Sequence, residues 1–281
     1  MPATRAGGVG GTPISEALDS AVIALTAAGV DTPRLDAEVL LAHALGVDRA
    51  RLVIDRDAPV QGPAIRTFQT AVRRRAVERE PVAYITGTRG FRHLDLHVDA
   101  RVLVPRPETE TLVEAALDLP HGARVVDVGT GSGAVALALK DERDDLDVTG
   151  TDVSDDALAV ARANAQRLGL DVAFARADLL DGVPEADAVV SNPPYVEDGA
   201  PLAPEITRHE PHVALFAGPD GLAIVRTLIE QAAARGVAFL ALEIGMGQAP
   251  AVALLMRAAG FTRTEARPDL AGIDRVVTAW R

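Results

Sequence analysis

Ser191-Asn192-Pro193-Pro194-Tyr195 is the stretch whose residue types most directly suggest a reaction. Two consecutive prolines fix backbone angles and leave carbonyls without neighbouring amide donors. The Asn192 side-chain carbonyl and the Pro193 backbone carbonyl can then both accept from one NH2 group, and Tyr195 offers a flat face on which a planar amide or base can stack. A carboxamide nitrogen is a poor nucleophile because its lone pair is delocalised into its carbonyl. Two acceptors gripping its protons favour localising that pair towards an electrophilic carbon. The reaction is then an in-line displacement assisted by positioning and charge stabilisation, without a covalent enzyme intermediate.

Upstream, Val125-Val126-Asp127-Val128-Gly129-Thr130-Gly131-Ser132-Gly133 places three glycines directly after an apolar run of β type. Gly129 can turn tightly, and Gly131 and Gly133 let the backbone approach a ligand with no Cβ in the way. Asp152, at the end of the next apolar run, can accept hydrogen bonds from both hydroxyls of a ribose. Alone, this loop indicates a nucleoside-containing cofactor without saying which, because Gly129, Gly131 and Ala134 also satisfy the dinucleotide pattern G-x-G-x-x-G/A. Joined to Asn192–Tyr195 it reads as an S-adenosylmethionine-dependent methyltransferase acting on a planar amide or amino nitrogen. A nucleic-acid enzyme methylating adenine N6 or guanine N2 would use the same grip. A non-catalytic cofactor-binding module would have no need of it.

Other clusters have plainer explanations beside the functional ones. Arg106, Glu108 and Glu110 lie in a Pro-bracketed loop that could close over the site as a lid or order the Asn192 loop, although Thr109 and the acidic pair also suit a first helical turn. Arg73-Arg74-Arg75 with Arg79 reads first as a solvated basic face, and second as a docking surface for an acidic partner. His93, Asp95 and His97 share a segment but lack a third convergent ligand, so no metal site is expected. Glu243 closes an apolar run, where it either orients the active-site loop or is a buried structural carboxylate.

These residues need a scaffold, and the chain supplies two kinds. Residues 1–12 are Gly- and Ala-rich and are expected to be a disordered lead-in without the apolar stretch of a signal peptide. Residues 13–81 carry helical spacing: Leu18, Val22 and Leu25, then Asp31-Thr32-Pro33 as a helix start, Leu35, Val39, Leu40 and Leu45 before Gly46, and a third helix over about Pro63–Arg79. Residues 82–104 alternate and read as a β-hairpin or linker. From 105 to 281, strands at Arg124–Val128, Val148–Val153, Val172–Ala175, Ala188–Ser191 and Val237–Ile244 alternate with helices at Ala134–Lys140, Asp155–Leu168, about Asp220–Arg235 and Ala249–Ala259, with a closing strand at Arg275–Trp280. That rhythm implies an α/β domain with a mainly parallel sheet covered on both faces.

The chain has 281 residues, is 48% hydrophobic and contains no cysteine, which excludes disulfides, thiolate metal sites and cysteine nucleophiles. Ten arginines balance ten acidic residues up to Ile85, so the whole net charge of -12 belongs to the remainder. Such a surface repels bare phosphate backbone, so direct nucleic-acid binding is not expected. No apolar run could span a bilayer, and a cytoplasmic location is expected.

In these features the chain resembles the HemK/PrmC family of protein-(glutamine N5) methyltransferases, from about Ser15 to Arg281. The resemblance rests on Asn192–Tyr195, on Tyr84-Ile85-Thr86-Gly87 and on Leu103-Val104-Pro105-Arg106-Pro107-Glu108-Thr109-Glu110. It rests also on Leu242-Glu243-Ile244-Gly245 with Gln248, and on Asp269–Val276. It implies a helical domain that docks class 1 peptide chain release factors and a Rossmann-like, seven-stranded class I S-adenosylmethionine-dependent domain. The product cofactor would be S-adenosylhomocysteine and the substrate the glutamine of the release factor's Gly-Gly-Gln loop, with the enzyme expected to be a monomer. By position, Gly129, Thr130, Gly131, Ser132, Gly133, Asp152, Leu179 and Asn192 would contact the cofactor, with Asp178 near its adenine amino group. Asn192, Pro193, Pro194 and Tyr195 would hold the glutamine, and Arg106 and Glu110 would assist. Leu179 and His209 stand where relatives often carry aromatics.

Overall fold

The computed structural model describes residues 11–281, which form two compact units. One holds the described chain up to Gly87 together with Pro204–His209; the other holds Thr88–Ala203 and Glu210–Arg281.

The first unit is mainly helical. A two-residue strand β1 (Thr12–Pro13) precedes α1 (Ile14–Ala27), α2 (Pro33–Leu45) and α3 (Arg49–Ile54). The strand β2 (Pro59–Val60) pairs with β1, and α4 (Pro63–Arg73), a π-helical turn over Arg74–Glu78 and α5 (Val82–Thr86) follow. Leu18, Leu25, Leu40, Leu41, Leu52 and Phe68 form its core, drawn from the apolar faces that helical spacing predicts. Pro33 occupies the first turn of α2, and Gly46 ends it in the left-handed conformation. Thr32 does not cap a backbone N–H; its hydroxyl instead donates to Asp36 Oδ1 at 2.8 Å.

The reason for that bond is a buried charge cluster. Arg75 Nε donates to Asp36 Oδ2 at 2.7 Å, and Arg75 Nη1 to Glu205 Oε1 at 2.8 Å. Arg79, in the left-handed conformation with φ 59°, donates to the same Glu205 oxygen and to the carbonyls of Ala28 and Gly29. Arg75 and Asp36 are both buried. The basic run is therefore not one solvated face: Arg74 pairs with Glu80, and only Arg73 reaches well into solvent, beside Glu78. Helical spacing separates the consecutive arginines around the axis, and the π turn aims Arg75 inward.

The second unit begins with a hairpin of β3 (Thr88–Phe91) and β4 (Leu94–His97), and a 3₁₀ turn at Pro107–Thr109 leads into α6 (Glu110–Ala116). Then follow β5 (Arg124–Val128), α7 (Ala134–Glu142), β6 (Asp147–Asp152), α8 (Asp155–Leu168), β7 (Ala173–Arg176) and β8 (Ala188–Ser191). After α9 (Pro204–His209), which belongs to the helical unit, come α10 (Ala223–Ala234), β9 (Phe239–Glu243), α11 (Ala249–Ala258), β10 (Arg263–Pro268) and β11 (Asp274–Trp280). The seven-stranded sheet has the order β10-β11-β9-β8-β5-β6-β7. The strands from β9 to β7 run parallel; β11 lies antiparallel to β9, and β10 antiparallel to β11. This is the Rossmann-like methyltransferase arrangement. Buried Val126, Val128, Val189, Leu240 and Leu242 pack with Val225, Leu228, Ile229 and Val252 of α10 and α11.

The strand β10 was not expected. Arg-Thr-Glu-Ala-Arg-Pro is polar along most of its length, as an edge strand is, so it lacks the alternation that marks a half-buried strand. The hairpin of β3 and β4 is braced by buried Asn164 of α8. Its Oδ1 accepts from His97 N, and its Nδ2 donates to the carbonyls of His97 and Ser132.

Candidate active site

Parallel strands present their carboxyl ends together, and the ligand crevice opens beyond them. Val128 of β5 lies in register with Thr151 of β6 on one side and Ser191 of β8 on the other. The Gly129–Gly133 loop, Asp152 and Asn192 therefore leave the sheet at neighbouring points. Around them is a cavity of about 330 Å³, lined among others by Thr109, Gly129, Thr130, Gly131, Ser132, Asp152, Asp178, Leu179, Asn192, Pro193 and Pro194. Gly133, Arg106, Glu110 and Tyr195 do not line it.

The loop is shaped from below. Asp127, buried in β5, accepts from the Thr130 hydroxyl at 2.6 Å and from Ala136 N at 3.1 Å, tying the turn to the start of α7. Gly129, Gly131 and Gly133 all have positive φ. Their roles differ. A Cβ on Gly131 would meet nothing nearer than 4.0 Å, whereas one on Gly133 would press on Leu137 at 2.9 Å. Gly133 serves the packing of the turn against α7, and Gly131 the open approach.

Asp152 has both oxygens engaged: Oδ2 accepts from Gly131 N at 3.0 Å and Oδ1 from Ser154 N at 2.9 Å. Each retains a lone pair, and the carboxylate is aimed by its own backbone. Ser154 then caps α8 by accepting from Ala157 N, and Asp155 and Asp156 favour that helix start. Leu179 reaches the cavity wall from a backbone with φ 53°, a conformation unusual for a residue with a γ-branch.

At the other end of the cavity, Asn192 Nδ2 donates to Thr109 Oγ1 at 3.1 Å. That bond fixes the amide and leaves Oδ1 as the atom the side chain can offer. Tyr195 is largely buried, and its hydroxyl donates to Glu243 Oε1 at 3.3 Å. Burial pushes the Glu243 carboxyl up to about 7 against the opposing pull of the Thr109 and Tyr195 hydroxyls. Burial, with Glu243 alongside, raises the Tyr195 phenol, which stays neutral. Gln248 completes the support, accepting from Gly245 N and donating to the Tyr195 carbonyl at 3.2 Å.

Arg106 and Glu110 point elsewhere. Arg106 Nη2 grips both oxygens of buried Glu210 at 2.7 and 2.6 Å, and Glu110 Oε1 accepts from Arg92 N. Burial raises the Glu210 carboxyl, and Arg106 opposes that shift. No group of His, Asp and Glu suited to a metal ion occurs among the described residues. Thr109 is the contact the spacing did not reveal. It sits in the same Pro-bracketed loop, but its partner is 83 residues away.

Two predictions arise here. Gly221 has φ +67°, and an added Cβ would overlap the Tyr195 carbonyl oxygen and crowd Gln248 Nε2 at 3.0 Å. Overpacking of this kind costs about 1–3 kcal/mol. Gly221→Ala is expected to lower both Tm and kcat, and an unchanged kcat would show that the Asn192–Tyr195 loop tolerates displacement. The second concerns pH. Burial, reinforced by Asp152, pushes the Asp127 carboxyl up to about 7 despite its two hydrogen bonds. An unfolded Asp titrates near about 4, so between those values the folded state holds a proton the unfolded chain has released. Stability contributed by this group is present at the acid end and lost as pH rises through about 7. Tm measured at pH 6 and pH 8 should show that slope, and Asp127→Asn should flatten it.

Three comparisons bear on this site. The PrmC N-terminal domain family matches residues 16–87, and the methyltransferase small domain family matches residues 107–210. A release factor glutamine methyltransferase of Mycolicibacterium smegmatis is 42% identical over 279 residues, covering 96% of this chain and 98% of that protein. One from Cereibacter sphaeroides is 44% identical over 272 residues, covering 94% and 97%. Among solved structures, the hMettl16 catalytic domain in complex with an RNA hairpin has a TM-score of 0.54 at 15% identity, covering 81% of this chain and 84% of that one, a likeness of fold alone. With identity of this extent along nearly its whole length, the chain belongs to the release factor glutamine methyltransferase family.

Proposed function

We propose that this chain transfers a methyl group from S-adenosylmethionine to the side-chain amide nitrogen (N5) of the glutamine in the Gly-Gly-Gln loop of class 1 peptide chain release factors. One observation carries the reading: Asn192 lines the cavity with its amide nitrogen bound to Thr109, which leaves its oxygen, next to Pro193 in the same lining, as an acceptor for a substrate NH2. A site for a substrate NH2 needs acceptors, and the Thr109 bond makes Asn192 an acceptor.

The cavity suits the cofactor on its own terms. The open face of Gly131, the aimed Asp152 carboxylate and the apolar walls at Val153, Ala177 and Leu179 fit a nucleoside with an attached amino acid. Gly129, Thr130, Gly131, Ser132, Asp152, Asp178 and Leu179 would hold it, with Gly133 packing the turn against α7. When bound, S-adenosylmethionine supplies an electrophilic methyl sulfonium and leaves as S-adenosylhomocysteine. Asn192 Oδ1 and the Pro193 carbonyl would hold the two amide protons, which localises the nitrogen lone pair; the nitrogen gives up one of those protons to solvent as it gains the methyl group and the sulfonium loses it. Pro194 keeps the turn rigid, and neutral Tyr195, which does not line the cavity, supports the loop from behind through Glu243 and Gln248. Arg106 and Glu110 stand outside the cavity, Arg106 held by Glu210 and Glu110 by the hairpin of β3 and β4.

The same reading makes the helical unit the docking element for the release factor, and has the enzyme work as a cytoplasmic monomer on protein substrates. The acidic balance after Ile85 supports a protein over a nucleic acid, and no helix among the described residues is long and apolar enough to cross a membrane. Methyl transfer from labelled cofactor to purified release factor tests it, beside a Gln→Ala loop variant, DNA and ribosomal RNA. Label on the wild-type factor alone is expected; label on nucleic acid would move the substrate to a base amino group.

A further inference from the structure

The Asn192–Tyr195 segment is held at both ends. At its start, Ser191 closes β8, and its hydroxyl donates to the Val128 carbonyl at 2.7 Å. At its end, the Tyr195 carbonyl sits between two other segments. Gln248 Nε2 donates to it at 3.2 Å, and Gly221 lies so close that a Cβ there would stand 2.3 Å from the same oxygen. Gln248 precedes α11, and its side chain folds back over the turn after β9, where Oε1 accepts from Gly245 N at 2.9 Å. One partner is a backbone donor and the other a backbone acceptor, so the amide has a single orientation. Gly245 is bare to admit it: a Cβ there would meet Gln248 Oε1 at 3.0 Å and Tyr195 Cδ2 at 3.3 Å. The helix start is closed by backbone bonds, Gln248 N to the Gly245 carbonyl and Val252 N to the Gln248 carbonyl, and makes no use of the side-chain amide.

We propose that Gln248 is a positioning residue for methyl transfer, which staples the Tyr195 carbonyl to the turn after β9 and so sets the acceptors at Asn192 and Pro193. This rests on the amide-gripping role of Asn192. Two consecutive prolines lock φ between the staple and those acceptors, so few torsions can absorb a displacement of the Tyr195 carbonyl. A shift at one end is passed to the other.

Gln248→Glu tests the staple with its own switch. Ionised, the new side chain still accepts from Gly245 N but sets an acceptor against the Tyr195 carbonyl; protonated, it can donate to that carbonyl. Full-length wild type, Gln248→Glu and Gln248→Met are compared at pH 6 and pH 8.5. Measured are kcat and KM for release factor, S-adenosylhomocysteine affinity by calorimetry, Tm, and the Val196 amide 15N resonance. The Val196 nitrogen shares a peptide bond with the Tyr195 carbonyl, and its N–H donates to the Leu215 carbonyl at 2.9 Å. At pH 8.5 both variants should lower kcat about tenfold. Product affinity should stay within twofold, because Gln248, Gly221 and Gly245 do not line the cavity. At pH 6 Gln248→Glu should recover at least threefold relative to wild type, and Gln248→Met should not. Glu243, which accepts from the Tyr195 hydroxyl, and Asp220, paired with Arg226, are present in all three enzymes, so the ratio to wild type reports position 248. A merely structural role would lower Tm and kcat in both variants without recovery at pH 6. That result, or wild-type kcat in Gln248→Met, would overturn the proposal. If Gln248→Glu does not fold, Gln248→Met decides, through its kcat and its Val196 resonance together. The Val196 resonance also separates this proposal from the substrate assignment. It should move in both variants at pH 8.5 even if the wild-type enzyme methylates some other acceptor, and an unmoved resonance would sink the staple alone.

Discussion

Asn192→Ala is expected to reduce kcat by about 10²–10³, the range found when one preorganised transition-state contact is removed. The site gives reasons to expect the large end. Asn192 follows β8 directly and precedes two prolines, so its backbone has little freedom to bring another acceptor into place. Its side chain is fixed by Thr109, so its orientation is established before substrate arrives. Alanine removes the acceptor and lets water take its place, which returns the substrate amide to its delocalised ground state. Cofactor affinity should change only a few-fold, since Asp152 and the glycine loop are untouched, and Tm should hold within a few degrees. Single-turnover methyl transfer with calorimetry of cofactor binding would check this. A kcat within tenfold of wild type would mean that the Pro193 carbonyl alone suffices.

Arg75→Ala carries the largest expected effect on stability. Arg75 lies between Asp36 and Glu205, and its removal leaves Asp36 buried with only the Thr32 hydroxyl. Breaking a buried ion pair from one side costs about 3–5 kcal/mol. The lower end is expected here, because Arg79 still reaches Glu205. Arg75→Lys should fall between, keeping the charge but losing the fork that bonds two carboxylates in different directions. Urea unfolding followed by circular dichroism would measure both, and a loss under 1 kcal/mol for Arg75→Ala would show that water enters the cluster.

The parts of the site legible in the sequence are those where chemistry constrains neighbouring backbone. Gly129–Gly133 and Asn192–Tyr195 do their work through consecutive peptide units, so spacing alone exposes them. Asp152 was legible because a strand end is a short-range property. The supports were not. Thr109 meets Asn192 across 83 residues, Tyr195 meets Glu243 across 48, and the clamp on Glu205 spans 130. Nothing in local periodicity reports such contacts. Asp127 left a weak trace, an acid inside an otherwise apolar buried strand ahead of the first glycine. The need of Gly221 to be bare comes from the Tyr195 carbonyl beside it, a contact that its neighbours in sequence do not report.

The assignment of Pro204–His209 to the helical unit has a consequence for biosynthesis. Arg75 and Arg79 emerge from the ribosome 130 and 126 residues before the carboxylate they share. At about 5–20 residues per second, that interval lasts roughly ten seconds. Until it ends, the nascent helices hold two arginines whose shared partner does not yet exist. The ion cluster of the helical unit is therefore completed only after residue 205 has emerged, although the unit's sequence comes first. A fragment ending at Gly87 would carry the same deficit permanently, which makes this unit a poor cassette for exchange between proteins.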